Sequence, residues 1–164
     1  VKTLEQQLAN YAAYHRDSRN VLTHLVGIPL IVLAAATLLS RPAAGMLSPA
    51  VLVWVILAVY YVRLDMRFGL LMTALLGLCV WAGAGFAARG TGVWLTAGLG
   101  MFGAGWVIQF VGHYFEGRKP AFLDDVMGLA IGPLFIVAEL CFWAGLRADV
   151  RRAVEARGGG NAAA

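Results

Sequence analysis

Charge is scarce in this 164-residue chain, where charged residues make up 13% and hydrophobic ones 60%. A water-soluble domain carries about 25% charged residues, because its surface must face solvent. The deficit is concentrated in successive uncharged runs, and a run of roughly 18 or more apolar residues can cross the hydrocarbon layer as a helix. Several such runs and a mean hydropathy of +0.74 exclude a soluble globular fold. Histidine is sparse too: His15, His24 and His113 are the whole supply. Three are too few for the histidine-rich motifs of two-metal membrane desaturases and hydroxylases, or for a multihaem carrier. The two cysteines, Cys79 and Cys141, lie far apart in apolar runs with no partner at metal-ligand spacing, and read as small buried hydrophobes. No Ser-His-Asp or Cys-His pairing has a supporting motif. The first 20 residues are polar and hold Lys2, Glu5, Arg16, Asp17 and Arg19, so no signal peptide is expected. The net charge of +4 falls at loops and ends, which suits anionic lipid head groups and gives no basic face for nucleic acid.

What is present is a series of apolar segments. Leu4, Leu8, Tyr11 and His15 share one face of residues 3–15, which predicts a short amphipathic helix at the membrane surface. Arg16-Asp17-Ser18-Arg19 interrupts it, with Asp17 or Ser18 able to cap a new helix. Full spans are expected over 20–39, about 48–62, about 68–88 and about 92–115, and a fifth apolar stretch, 126–146, carries Gly132-Pro133. The fold expected is an all-α polytopic transmembrane bundle: one membrane domain over 1–157 and a disordered tail over 158–164. If the fifth stretch crosses fully, the Lys and Arg bias between the two sides nearly vanishes. If it is kinked or re-entrant at Gly132-Pro133, almost all basic residues lie on one side, leaving Arg41 and Arg89 opposite. The positive-inside rule favours the second arrangement: four full spans, a broken fifth, and cytoplasmic termini.

That topology carries the three histidines to one face, because the start of the first span and the end of the fourth lie on the same side. On a continuous helix His15 and His24 would face opposite ways, but the break at Asp17-Ser18 lets His15 fold back. Asn20 and His24 are four apart, and Gln109, His113 and Glu116 form a second stripe. Polar groups at such depth face a bundle interior or a cavity. Neutral imidazole binds iron, zinc or copper, and a carboxylate or amide can complete or support the site. A single histidine here would read as an interfacial residue bonded to head groups or backbone; three beside Glu116, Asn20 and Gln109 point to a metal. Glu139, inside the fifth stretch, needs a partner and reads equally as structural or functional. Arg63, Asp65 and Arg67 read as a solvated turn. The glycines of GLGMFGAG (98–105) lie in a span and read as close helix packing, not a phosphate loop.

Tyr14-His15-Arg16, Asn20 and His24-Leu25-Val26-Gly27-Ile28-Pro29 resemble the opening motif of the 2-hydroxy-fatty-acid dioxygenase family. Tyr60-Tyr61-Val62 with Leu64-Asp65 is similar to its middle segment. Trp106, Gln109-Phe110-Val111-Gly112-His113, Glu116 and Lys119-Pro120-Ala121 resemble its second motif, and Leu129-Ala130, Pro133-Leu134-Phe135 and Glu139 its closing one. The resemblance covers about residues 11–147. It implies Fe(II)-dependent α-oxidation, in which a 2-hydroxy fatty acid and O₂ yield an acid one carbon shorter. It would make His15, His24 and His113 the iron ligands, with Glu116 a fourth ligand or a base beside them. Asn20 and Gln109 would orient that shell, Arg16 or Lys119 would attract the carboxylate, and Asp17 and Glu139 would stand nearby. Membrane lipids are the expected surroundings, in a bacterial inner membrane or, for a eukaryotic chain, the endoplasmic reticulum. The rival expectation is a non-catalytic lipid-binding or transport protein with structural histidines. A transporter would want polar groups through the midplane, where this sequence offers only Glu139.

Overall fold

The computed structural model describes residues 2–45, 47–120 and 123–160; Ala121 of the second motif and residues 161–164 of the tail expected over 158–164 lie outside the described residues, while 158–160 continue the last helix. Among the described residues the fold is all-helical: α1 (Leu4–Ala12), α2 (Ser18–Leu38), α3 (Pro49–Leu64), α4 (Met66–Ala88), α5 (Thr91–Glu116), α6 (Gly128–Trp143) and α7 (Ala148–Gly160). It divides into two compact units, one of Val1–Leu25 with Phe110–Ala164, the other Val26–Gln109, so α2 and α5 contribute to both.

Among the described residues, three helices are long and apolar enough to span a membrane: α2, α4 and α5, with 21, 23 and 26 residues. At about 1.5 Å per residue they reach or exceed the ~30 Å hydrocarbon thickness. The segment expected as a second full span, α3, has 16 residues and falls short of that length. A fourth span is reached if α6 and α7 count as one, and these meet at a 115° bend. The break in this fifth segment is not at Gly132-Pro133, through which α6 runs without interruption. Pro133 lies near the start of α6 and removes one intrahelical bond, that of its own nitrogen. The chain turns instead after Trp143. There the Gly145 N–H donates to the Phe142 carbonyl and the Leu146 N–H to the Cys141 carbonyl, while Gly145 takes φ 75°. This is the left-handed stop that glycine permits at a helix end.

In the first unit, Thr3 and Gln6 form a reciprocal cap on α1. The Leu4, Leu8 and Tyr11 face of α1 is buried, and α1 packs on α6 and α7. The amphipathic face is therefore spent on protein. In the second unit, α3 and α4 form an antiparallel hairpin joined by Asp65 alone, which ends α3 and whose carboxylate caps α4 through the Phe68 N–H at 2.8 Å. Gly27 on α2 and Gly105 on α5 face each other, each placing a would-be Cβ 3.0 Å from the other's carbonyl oxygen. Of the GLGMFGAG glycines, Gly98 and Gly105 are contact points, against Leu38 and Ile31, whereas Gly100 and Gly103 face open space. Large apolar side chains such as Leu52, Ile56, Leu78 and Trp81 remain exposed, which an aqueous surface would not sustain in such number and lipid would.

Candidate metal centre

The site lies within the first unit and is built from three chain segments. Asp17 ends the break after α1 by capping α2: its Oδ1 accepts the Arg19 N–H at 2.9 Å, and its carbonyl accepts from the Val21 N–H. The chain thereby folds back on itself between His15 and His24. Their Nε2 atoms stand 3.0 Å apart. His113, in the last turn of α5, completes the group, with its ring centroid 4.9 Å from that of His24 and 5.4 Å from that of His15. All three are buried, and one nitrogen from each lies within 4.8 Å of the other two.

The hydrogen bonds fix the tautomers. His15 Nδ1 lies 2.8 Å from the Tyr11 carbonyl oxygen and His24 Nδ1 lies 2.8 Å from that of Asn20. A carbonyl only accepts, so in both rings Nδ1 carries the proton and donates it. In the neutral rings both Nε2 atoms then present lone pairs to each other at 3.0 Å, a contact that no hydrogen bond between them can satisfy. Burial pulls His15 down to about 4, against the smaller upward pull of its bond to Tyr11, so the ring is neutral near pH 7. Among the described residues, His113 Nδ1 is buried without a hydrogen-bond partner.

Facing lone pairs, an orphaned ring nitrogen and Nδ1–H donors held by carbonyls are what a metal-binding histidine set requires. With metal–nitrogen distances of about 2.1 Å, two ligands on one ion stand roughly 3–4 Å apart, so the spacing fits too. The three histidines could hold a metal ion.

Aromatic side chains close one side. The Tyr11 ring stacks on His15 with centroids 4.2 Å apart and planes 6° from parallel, and Phe135 of α6 lies 5.0 Å from Tyr11 and 5.8 Å from His15. Opposite, Gly112 lets α5 approach α2: a Cβ there would lie 2.0 Å from Thr23 Oγ1 and 2.6 Å from Asn20 Oδ1. Tyr11, Phe135 and Gly112 were not singled out from the sequence as site residues. Their signals were present, in the four-residue step from Tyr11 to His15 and in the glycine beside His113.

The remaining expected residues are placed differently. The Glu116 carboxylate stands outside the three-histidine group and accepts from the main-chain N–H of Arg16 and Asp17 and from Asn20 Nδ2. Asn20 is fully buried. Gln109 is buried against Gly27 within the second unit. The Arg16 side chain is exposed. Lys119 is paired with Asp124 at 2.5 Å, and Asp124 also accepts from the Tyr14 hydroxyl at 3.1 Å. Glu139 lies away from the histidines and lines a cavity of about 100 Å³ with Arg151 and Glu155 and a larger one of about 550 Å³ with Arg16.

Residues 1–143 match a family described as 2-hydroxy-palmitic acid dioxygenase Mpo1-like. The 2-hydroxy-palmitic acid dioxygenase MPO1 of Saccharomyces cerevisiae is 32% identical over 155 residues, covering 93% of this chain and 87% of that protein. No solved structure matches the chain. On the strength of a match over most of its length, with all three histidines inside it, the chain belongs to the Mpo1-like family.

Proposed function

We propose that this chain is an Fe(II)-dependent dioxygenase that converts a 2-hydroxy fatty acid into the acid one carbon shorter. The observation that carries this is the pair of Nε2 lone pairs facing each other at 3.0 Å, with both Nδ1 protons committed to carbonyls. The substrate class comes from the yeast relative, named for 2-hydroxy-palmitic acid. Oxygen balance supports the reaction: one hydroxy acid and one O₂ give one shorter acid, CO₂ and water, with no further reductant.

His15, His24 and His113 would hold the iron. Three nitrogen donors from the chain would leave positions on the ion open to the substrate's hydroxyl and carboxylate. When bound, iron supplies Lewis acidity toward the hydroxyl oxygen and the redox capacity to engage O₂. The Tyr11 and Asn20 carbonyls hold two imidazoles in the tautomer that keeps Nε2 free. Tyr11 and Phe135 exclude water from the His15 side. The exposed guanidinium of Arg16, next to His15, is better placed to draw the carboxylate than Lys119, which Asp124 already engages. Gln109 supports α5 one turn before His113. The site faces the cytoplasm in this reading, on the side where the basic residues gather, and the acyl chain stays in the lipid.

Anaerobic loading of the detergent-purified protein with Fe(II), then addition of O₂ and 2-hydroxypalmitate, tests this by mass spectrometry. The expected product is the fifteen-carbon acid, formed one for one with the oxygen consumed. Oxygen uptake and chain shortening both absent would overturn the substrate class. Native protein that binds lipid but takes up no metal would favour the non-catalytic rival.

A further inference from the structure

We infer that Glu116 is a positioning residue: a carboxylate lock that holds the α1–α2 turn against the end of α5 and so sets the spacing of the three histidines. The inference rests on the metal-site reading above. Glu116 Oε1 and Oε2 accept the Arg16 N–H at 2.9 and 3.1 Å, and Oε2 also accepts the Asp17 N–H at 2.9 Å and Asn20 Nδ2 at 3.1 Å.

These bonds bear on two of the ligands. Arg16 and Asp17 directly follow His15, which lies on a turn and not on a long helix. Asn20 carries the carbonyl that orients His24 Nδ1. Glu116 itself is one turn beyond His113 on α5. One side chain thus joins the three segments that carry the site, across about a hundred residues of sequence. Charged acceptors on main-chain N–H groups make bonds roughly twice as strong as neutral ones. With these donors engaged, and with the carboxylate outside the three-histidine group, Glu116 serves as a brace for the ligand set and not as a member of it.

The test uses the full chain in detergent with Cu(II) as the probe, comparing wild type, Glu116→Gln and Glu116→Ala. Nitrogen hyperfine structure in the electron paramagnetic resonance spectrum counts the imidazole ligands. All three proteins are expected to show the same nitrogen count, with affinity falling about 10- to 100-fold in the variants, as supporting residues around metal ligands typically cost. Glu116→Gln, which keeps one carbonyl acceptor, should fall less than Glu116→Ala. Helical circular dichroism should not change. A change in the g and copper hyperfine values of Glu116→Gln, with the nitrogen count unchanged, would mark loss of an oxygen donor, make Glu116 a ligand and overturn the inference, as would affinity within about threefold of wild type.

Hydrogen exchange separates this from failure of the metal reading, since it needs no metal. The Arg16 and Asp17 amides should be protected in wild type and exchange freely in Glu116→Ala. Unprotected amides in wild type would sink the lock. Wild-type protein that takes up no Cu(II) but keeps those amides protected would sink the metal site instead, and leave Glu116 a lock on the turn alone.

Discussion

The two units differ in how far their polar side chains reach along the sequence. In Val26–Gln109 the Thr37, Ser40 and Thr73 hydroxyls donate to the carbonyls of Leu33, Ala36 and Gly69, each four residues back, and the longer reaches there are those of Trp94 to the Thr37 carbonyl and of Arg41 to Thr91. In the other unit, Glu116 reaches about a hundred residues back to Arg16, Asp17 and Asn20, and His15 and His24 meet across a chain reversal. A local i−4 bond lets a hydroxyl live in an apolar helix without shaping anything around it. Long-range bonds between buried groups fix one arrangement and leave little tolerance for another. The first pattern builds a scaffold and the second a site.

The sharpest way to break this contrast is a pair of variants. His24→Ala should reduce metal affinity by more than the roughly 100-fold that supporting residues cost, and dioxygenase turnover with it, as read by metal analysis after gel filtration. Thr37→Val removes a buried hydroxyl from the second unit and should leave metal content unchanged, costing about 1 kcal/mol in thermal unfolding. Equal metal loss in both would dissolve the distinction.

Glycines give the next comparison. Gly112→Ala drives a Cβ into Thr23 and Asn20, and Gly69→Ala drives one to 2.4 Å from the Val62 Cα. Both should destabilise by about 1–3 kcal/mol through overpacking. Only Gly112→Ala should also weaken metal binding, because Asn20 holds His24. Unfolding monitored alongside Cu(II) titration checks both halves.

The smallest effect concerns the cap that reverses the chain. The Arg19 guanidinium and N–H beside Asp17 hold its carboxyl below the usual value. A depressed folded pKa gives stability that is present above the unfolded value, near 3.8, and lost as pH falls through the folded one. Asp17→Asn should therefore flatten the acid side of the stability profile below about pH 4, with little change at neutral pH beyond the weaker cap. Melting curves between pH 3 and 7 would show it.

The meeting of the three histidines was legible because it follows from topology and one local break: an alternating chain returns the end of α5 to the start of α2, and Asp17 supplies the reversal. The partners of Glu116 were not, since main-chain N–H groups have no signature in sequence and a carboxylate beside histidines reads first as a ligand. Gly132-Pro133 drew attention as a break, yet near the start of α6 a proline removes a single bond. Gly145, which does turn the chain, looks ordinary among twenty glycines. The shortness of α3 was legible in the expected bounds of about 48–62, already under the roughly 18 residues that a span needs.

The one-residue joint at Asp65 bears on how the protein is made. With no loop between α3 and α4, the 16-residue α3 need not be recognised by itself as it leaves the ribosome. The pair can enter the bilayer together as a pre-folded wedge, the longer α4 carrying the shorter helix in. Lengthening that joint would let the two helices insert as separate events.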